Sequence, residues 1–222
     1  LAQHDDRYDQ GQEWLDVVTR AWSSTEPFDY DGEFYQVHKT DINPKPYGGG
    51  RPVIVCAGNS PRGRDYAARN ADMMFTNLRM HIHEVPATIS QRKEMAAAYN
   101  RDIGVFSNVA VLCRPTKKEE EDYYHYYAVE NADLDAVEYM IEGRGLKKPG
   151  VSEEALQAAR LRAAGGNGAL PIIGDPDSVA ALMKRLSECG ISALAIGFTN
   201  YLNEFPYFRD EVLPRLASKG LR

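Results

Sequence analysis

Apolar residues recur at helical spacing through residues 9–22, where Trp14, Leu15, Val17, Val18 and Trp22 form one stripe; this predicts an amphipathic helix. Residues 28–40, FDYDGEFYQVHKT, alternate instead, in two short runs around Asp31-Gly32, a pair favoured in tight hairpins. Asn43-Pro44-Lys45-Pro46 and then Gly48-Gly49-Gly50 predict a stiff and then a loose connector. PVIVCAG, residues 52–58, has no polar alternation at all, as expected of a parallel strand covered on both faces.

Beyond it the pattern predicts a helix from Ser60 to about Asn70, a short strand over 72–76 and a helix over 85–100. A second apolar strand, FSNVAVLCR, covers 106–114, and Thr116 then opens a long acidic helix with Glu119 in capping-box position. Residues 130–168 read as helical pieces that end in a loose GGNG. Asp175 and Pro176 are the N-cap and first position of a helix through Cys189, which Gly190 stops. ISALAIGF, 191–198, is the last strand, and 205–219 a final amphipathic helix.

Strands alternating with helices imply a parallel α/β architecture. Four core strands are visible, whereas a complete eight-stranded βα barrel takes about 250 residues. The expectation is one domain, residues 1–222, that looks unfinished at its N-terminus. It carries a hairpin insertion at about 28–40 and a helical excursion at about 116–168. A first residue that is Leu1 rather than Met suggests a fragment, a processed chain or an expression product.

Candidate chemistry centres on the corner Ala57-Gly58-Asn59-Ser60. Ser60 stands where an N-cap belongs, and Pro61 fits the first helical turn because that N–H lacks a partner anyway. Free amides and the positive end of the helix dipole would then face whatever lies past the strand. Gly58 permits close approach, and Arg62 and Arg64 add positive charge, which together suit a phosphate. Alternatively, Ser60 merely caps its own helix and Gly58 only makes the bend.

The remaining composition narrows the field. With 222 residues, 43% hydrophobic and 26% charged, the chain can bury a sizeable core. A net charge of -6 argues against nucleic acid as a partner. No apolar run reaches the roughly 20 residues of a membrane span. Cys56, Cys113 and Cys189 read as reduced core thiols of a cytoplasmic protein, without zinc spacing. His81-Ile82-His83 reads as a loop pair rather than a metal site, and Tyr123 to Tyr127 as helix packing rather than a stacking platform. GGNGALP, 165–171, fits either a mobile lid or a plain linker. Asn200 and Tyr201 are candidates because they follow the last strand, but no residue is singled out as catalytic.

Taken together, HDDRY (4–8), DGEFYQV, NPKP, RPVIVCAGNSPRGRDYAARNADMMF, IIGDPDSV and GFTNYLNEFPYFRDEVLPRL resemble the bacterial luciferase-like, flavin-dependent monooxygenases. The dimethyl sulfone and pyrimidine monooxygenase groups are the most similar. The resemblance implies the C-terminal part of a (β/α)8 TIM barrel, its first four strands absent from this chain. It also implies reduced FMN with O2 as co-substrate, a small organic substrate such as an organosulfur compound or a heterocycle, and a separate NAD(P)H:flavin reductase. A homo-oligomer is expected too. Carried over residue by residue, Arg7, Tyr8, Ala57, Gly58, Asn59 and Ser60 would hold the flavin phosphate. Two rival readings are an F420-dependent oxidoreductase on the same barrel and a non-catalytic half barrel that associates with another chain.

Overall fold

The computed structural model describes residues 7–78 and 82–221, which fall into two compact units. The first comprises residues up to Phe75 together with Gln91–Gly104, and the second Thr76–Ser90 together with Val105 onward.

In the first unit, α1 (Arg7–Ser23) buries Leu15 and Ala21 but leaves Trp14 half exposed, so the expected stripe is narrower than its apolar content. Strands β1 (Phe28–Asp31) and β2 (Gln36–Thr40) pair antiparallel. The turn between them is a four-residue loop, not a tight two-residue turn at Asp31-Gly32. Glu13, on α1, holds that loop by accepting from the backbone N–H of Glu33, Phe34 and Tyr35. Burial works to raise the Glu13 carboxyl, but these three bonds outweigh it and keep the group below its ordinary value.

The run expected as a long strand over 52–58 contributes only β3 (Val55–Cys56), which pairs in parallel with β4 (Met73–Phe75). Val53 and Val55 are exposed, while Ile54 and Cys56 pack inward, so the strand is covered on one face only. The core beneath is built from small residues. Ala67, Ala68 and Ala71 of α2 (Pro61–Asn70) and its cap meet Met74, Ile103 and Ala96, the last on α3 (Val85–Ala97). Alanines at these positions let helix and sheet backbones approach closely.

Arg51 and Ile54 converge on Asp72 where β4 begins. The Arg51 guanidinium donates to both carboxylate oxygens at 2.5 and 2.6 Å, and the Ile54 N–H donates at 2.9 Å. The Arg51 bond, against an opposing contribution from burial, holds Asp72 below the usual carboxylate range.

The second unit is organised on β5 (Gly104–Cys113), which pairs in parallel with both β6 (Leu170–Gly174) and β7 (Ala193–Gly197). Val109 and Ala110 are in register with both partners, so β6 and β7 flank β5 on opposite edges. β6 was not among the four expected strands; LPIIG is short and runs directly into a helix cap.

Helices α4 (Lys117–His125), α5 (Leu134–Gly143) and α6 (Glu153–Gly166) form the excursion. They are followed by α7 (Pro176–Glu188), α8 (Tyr201–Tyr207) and α9 (Leu213–Ser218). A π-helical turn at Tyr126–Glu130 follows α4, and a second at Phe208–Val212 joins α8 to α9. The single helix expected over 205–219 is thus two helices around a π turn. The expected caps are present: Asp175 accepts from the Ser178 N–H at 2.8 Å, and Thr116 from the Glu119 N–H at 3.3 Å.

Val109, Val111, Ile172, Met183, Leu186, Phe208 and Val212 make the main core, on one face of the β5–β7 pair. Cys113 lies in it, where burial pushes its thiol up to about 12, as expected of an unreactive core cysteine. Cys56 and Cys189 are half-buried free thiols. No described helix is long and apolar enough to cross a membrane.

Candidate functional site

The corner singled out in the sequence folds as a strand end followed by a helix start. Ser60 is the N-cap of α2, with extended backbone angles, and its Oγ accepts from the Gly63 N–H at 3.0 Å. That bond satisfies one orphan donor of the helix, so Ser60 does cap its own helix; its hydroxyl hydrogen is still available to donate. Arg62, at the second helical position, has no intrahelical acceptor. The amides of Asn59 and Ser60 make no hydrogen bond among the described residues.

Two glycines shape this corner. A Cβ on Gly58 would lie 2.8 Å from Gly63 Cα and 3.0 Å from the Tyr8 hydroxyl. A Cβ on Gly63 would lie 2.9 Å from Gly58 Cα and would collide with the same hydroxyl. Strand end and first helical turn are therefore in backbone contact, with Tyr8 reaching across them from α1. The Tyr8 ring packs on Tyr66 with centroids 5.6 Å apart. Gly63 is the residue that sequence reasoning missed. Its signal was the Gly-x-x-x-x-Gly spacing of residues 58–63.

The other candidates divide. Arg7 is exposed at the start of α1, and Ala57 and Asn59 are exposed beside Ser60. Arg62 forms an ion pair with Asp9, so its charge is largely neutralised. Arg64 forms no salt bridge among the described residues. Arg92, on α3, is 5% exposed, donates one long 3.4 Å bond to Gln91, and has an Nε with no acceptor. Burial, and secondly Arg64, lower its pKa. Among the described residues, neither Arg64 nor Arg92 has a counter-ion. His4, Asp5, Asp6 and His81 lie outside the described residues.

In the second unit, the carboxyl ends of β5 and β7 are tied by a network around the buried Glu204 carboxylate. Glu204 accepts from Arg114 at 3.0 Å and from the Asn200 N–H at 3.1 Å, and is hydrogen-bonded to Tyr123. The Arg114 guanidinium lies 4.1 Å from the centroid of the Tyr123 ring. Asn200 caps α8 by accepting from the Asn203 N–H, and the Tyr201 hydroxyl donates to Ile196 O. Both candidates therefore have a structural task.

Tyr124 and Tyr127 donate to Leu161 O and Gly165 O, each at 3.3 Å. The tyrosine run thus packs against α6. Gly165 and Gly166 are the last turn of that helix, and Asn167 is its left-handed cap, held by Arg144. GGNG is consequently an anchored helix end and not a loose segment.

On the sheet face turned away from the main core, Asn108, Ala110, Ala195 and Gly197 leave a cavity of about 660 Å³. Tyr127, Thr199 and the end of α6 complete it. That volume suits a small organic molecule. Beside the α2 corner, a cavity of about 40 Å³ is lined by Tyr8, Gln12, Arg62 and Tyr66 and has room for a few waters. A phosphate at the corner would therefore sit on its open side.

Known proteins resemble this chain in sequence and in fold. The luciferase-like monooxygenase family model matches residues 2–193. An FMNH2-dependent dimethylsulfone monooxygenase of Pseudomonas fluorescens is 28% identical over 96% of the chain and 58% of its own length. Pyrimidine monooxygenase RutA of Acinetobacter baylyi is 22% identical over 96% of the chain and 58% of its own length. The crystal structure of DmoA from Hyphomicrobium sulfonivorans superposes with a TM-score of 0.80 at 21% identity, covering 99% of the chain and 57% of that structure. The chain thus spans somewhat more than half the length of the relatives it matches, as part of a mixed α/β barrel with parallel strands. It belongs to the luciferase-like monooxygenase family.

Proposed function

We propose that this chain is part of an FMNH2- and O2-dependent monooxygenase acting on a small organic substrate, with the flavin phosphate held at the α2 corner. The observation that carries the reading is the close approach of Gly58 and Gly63 under the Tyr8 hydroxyl, with free amides at Asn59 and Ser60. Side chains at either glycine would force the strand end and the first helical turn apart and so disturb the corner. Amides, a hydroxyl and the helix dipole are the donor set that phosphate prefers.

In this reading Ser60 donates its hydroxyl to phosphate, Tyr8 supplies a second hydroxyl, and Arg7 and Arg64 add charge. Ala57, Gly58 and Asn59 keep the backbone close. Reduced flavin, when bound, supplies the electrons that activate O2. The protein's residues bind, orient and exclude water. A separate NAD(P)H:flavin reductase would deliver the reduced cofactor, and the working form would be a cytoplasmic homo-oligomer.

Supplying the protein with reductase-generated FMNH2, candidate sulfones or pyrimidines and 18O2 tests the reading. Label in the product supports it. FMNH2 consumption that no substrate accelerates, with no labelled product, speaks against it.

A further inference from the structure

We propose that the 660 Å³ cavity of the second unit binds an uncharged small molecule and discriminates against anions. This narrows the substrate class of the proposed monooxygenase, and rests on that reading only in calling the occupant a substrate. The charge preference follows from the walls themselves.

Among the described lining residues there is no lysine, arginine or histidine. The ionisable groups present are Asp133, Tyr127 and Tyr201. Asp133 spends its carboxylate as the N-cap of α5, accepting from the Ala136 N–H at 2.9 Å. It thus places a negative charge, rather than bare amides, at that helix end. The other helix start at the cavity, that of α8, is occupied in the same way: the Asn200 N–H already donates to the buried Glu204 carboxylate. The opposite wall is the carboxyl end of α6, residues 164–167, where the helix dipole is negative. Each of these features would repel an anion, and none replaces the hydration that a buried anion gives up.

The same walls suit a neutral occupant with a polar head. Phe198, Tyr201 and the small residues of β5 and β7 offer apolar surface. The side chains of Asn108 and Thr199 also line the cavity and can bond a polar head.

Benzamide and benzoate, near-isosteres that differ in charge, test this without flavin present, so the outcome is independent of the FMN reading. Ligand-observed NMR titrations should give a Kd for benzamide at least about tenfold below that for benzoate. Ala195→Lys, at an exposed cavity position on β7, should invert the order by adding the missing cation. Equal or tighter benzoate binding to the unsubstituted protein overturns the proposal. So does binding of neither probe, or an Ala195→Lys variant that leaves both affinities unchanged.

Discussion

The two units finish their strands in opposite ways. Past β3, the first unit presents glycine backbone, a serine hydroxyl, and amides and the Arg64 side chain that have no partner among the described residues. Past β5 and β7, the second unit presents Arg114, Tyr123 and Asn200, all bonded to the buried Glu204 carboxylate. A closed network satisfies its own charges and can only stabilise. An open corner keeps donors unsatisfied, which is tolerable where water, or a ligand, reaches them. The difference separates a strand end that satisfies its own charges from one whose donors stay open.

The contrast can be broken at the closed end first. Glu204→Ala leaves the Arg114 guanidinium without its carboxylate and should cost about 3 kcal/mol, read as a fall in denaturation midpoint. Glu204→Gln, which keeps an acceptor for the Asn200 N–H, should cost less. If Glu204→Ala proved neutral, the network would not be the clamp described here.

At the open end, Gly63→Ala forces a methyl group against Gly58 Cα and the Tyr8 hydroxyl. Overpacking of this kind should cost about 2 kcal/mol. A companion Tyr8→Phe change should recover part of it, because the hydroxyl is the nearest obstacle to that methyl. Ser60→Ala should cost about 1 kcal/mol through loss of the α2 cap. Melting curves measure all three.

Much of this was legible in the sequence because caps and turns are local. Ser60-Pro61, Thr116 and Asp175-Pro176 each announce a helix start through a side chain that bonds within three residues. What was not legible depends on distant partners. The run at 52–58 has the composition of a doubly covered strand, yet only two residues pair and Val53 and Val55 face outward, because coverage is decided by other segments. The GGNG stretch looked loose, but Tyr127 and Arg144 pin it from 20 or more residues away. Glu13 reshaped the hairpin turn from another element altogether. Arg92 carried no mark in the sequence of its burial. At the corner, Ser60 and Gly58 were readable, whereas the contact with Gly63 and the reach of Tyr8 needed three dimensions.

The smallest expected effect sharpens the comparison by pH. Asp72 is held low chiefly by Arg51. Its contribution is present above the unfolded carboxylate value of about 4 and is lost as pH falls through the lower folded value. Because the pair is partly exposed, the contribution should be at most about 1 kcal/mol. The stability gap between the unsubstituted protein and Asp72→Asn should accordingly be constant near neutrality and close below about pH 4. A gap that widened on acidification would refute the assignment.

The most direct test of the α2 corner as a phosphate site compares two ligands that differ only in that group. Titrated in parallel, FMN should bind at least about tenfold more tightly than riboflavin. Ser60→Ala should shrink that ratio by weakening FMN while leaving riboflavin unchanged. Equal affinities of the unsubstituted protein for FMN and riboflavin would contradict the account.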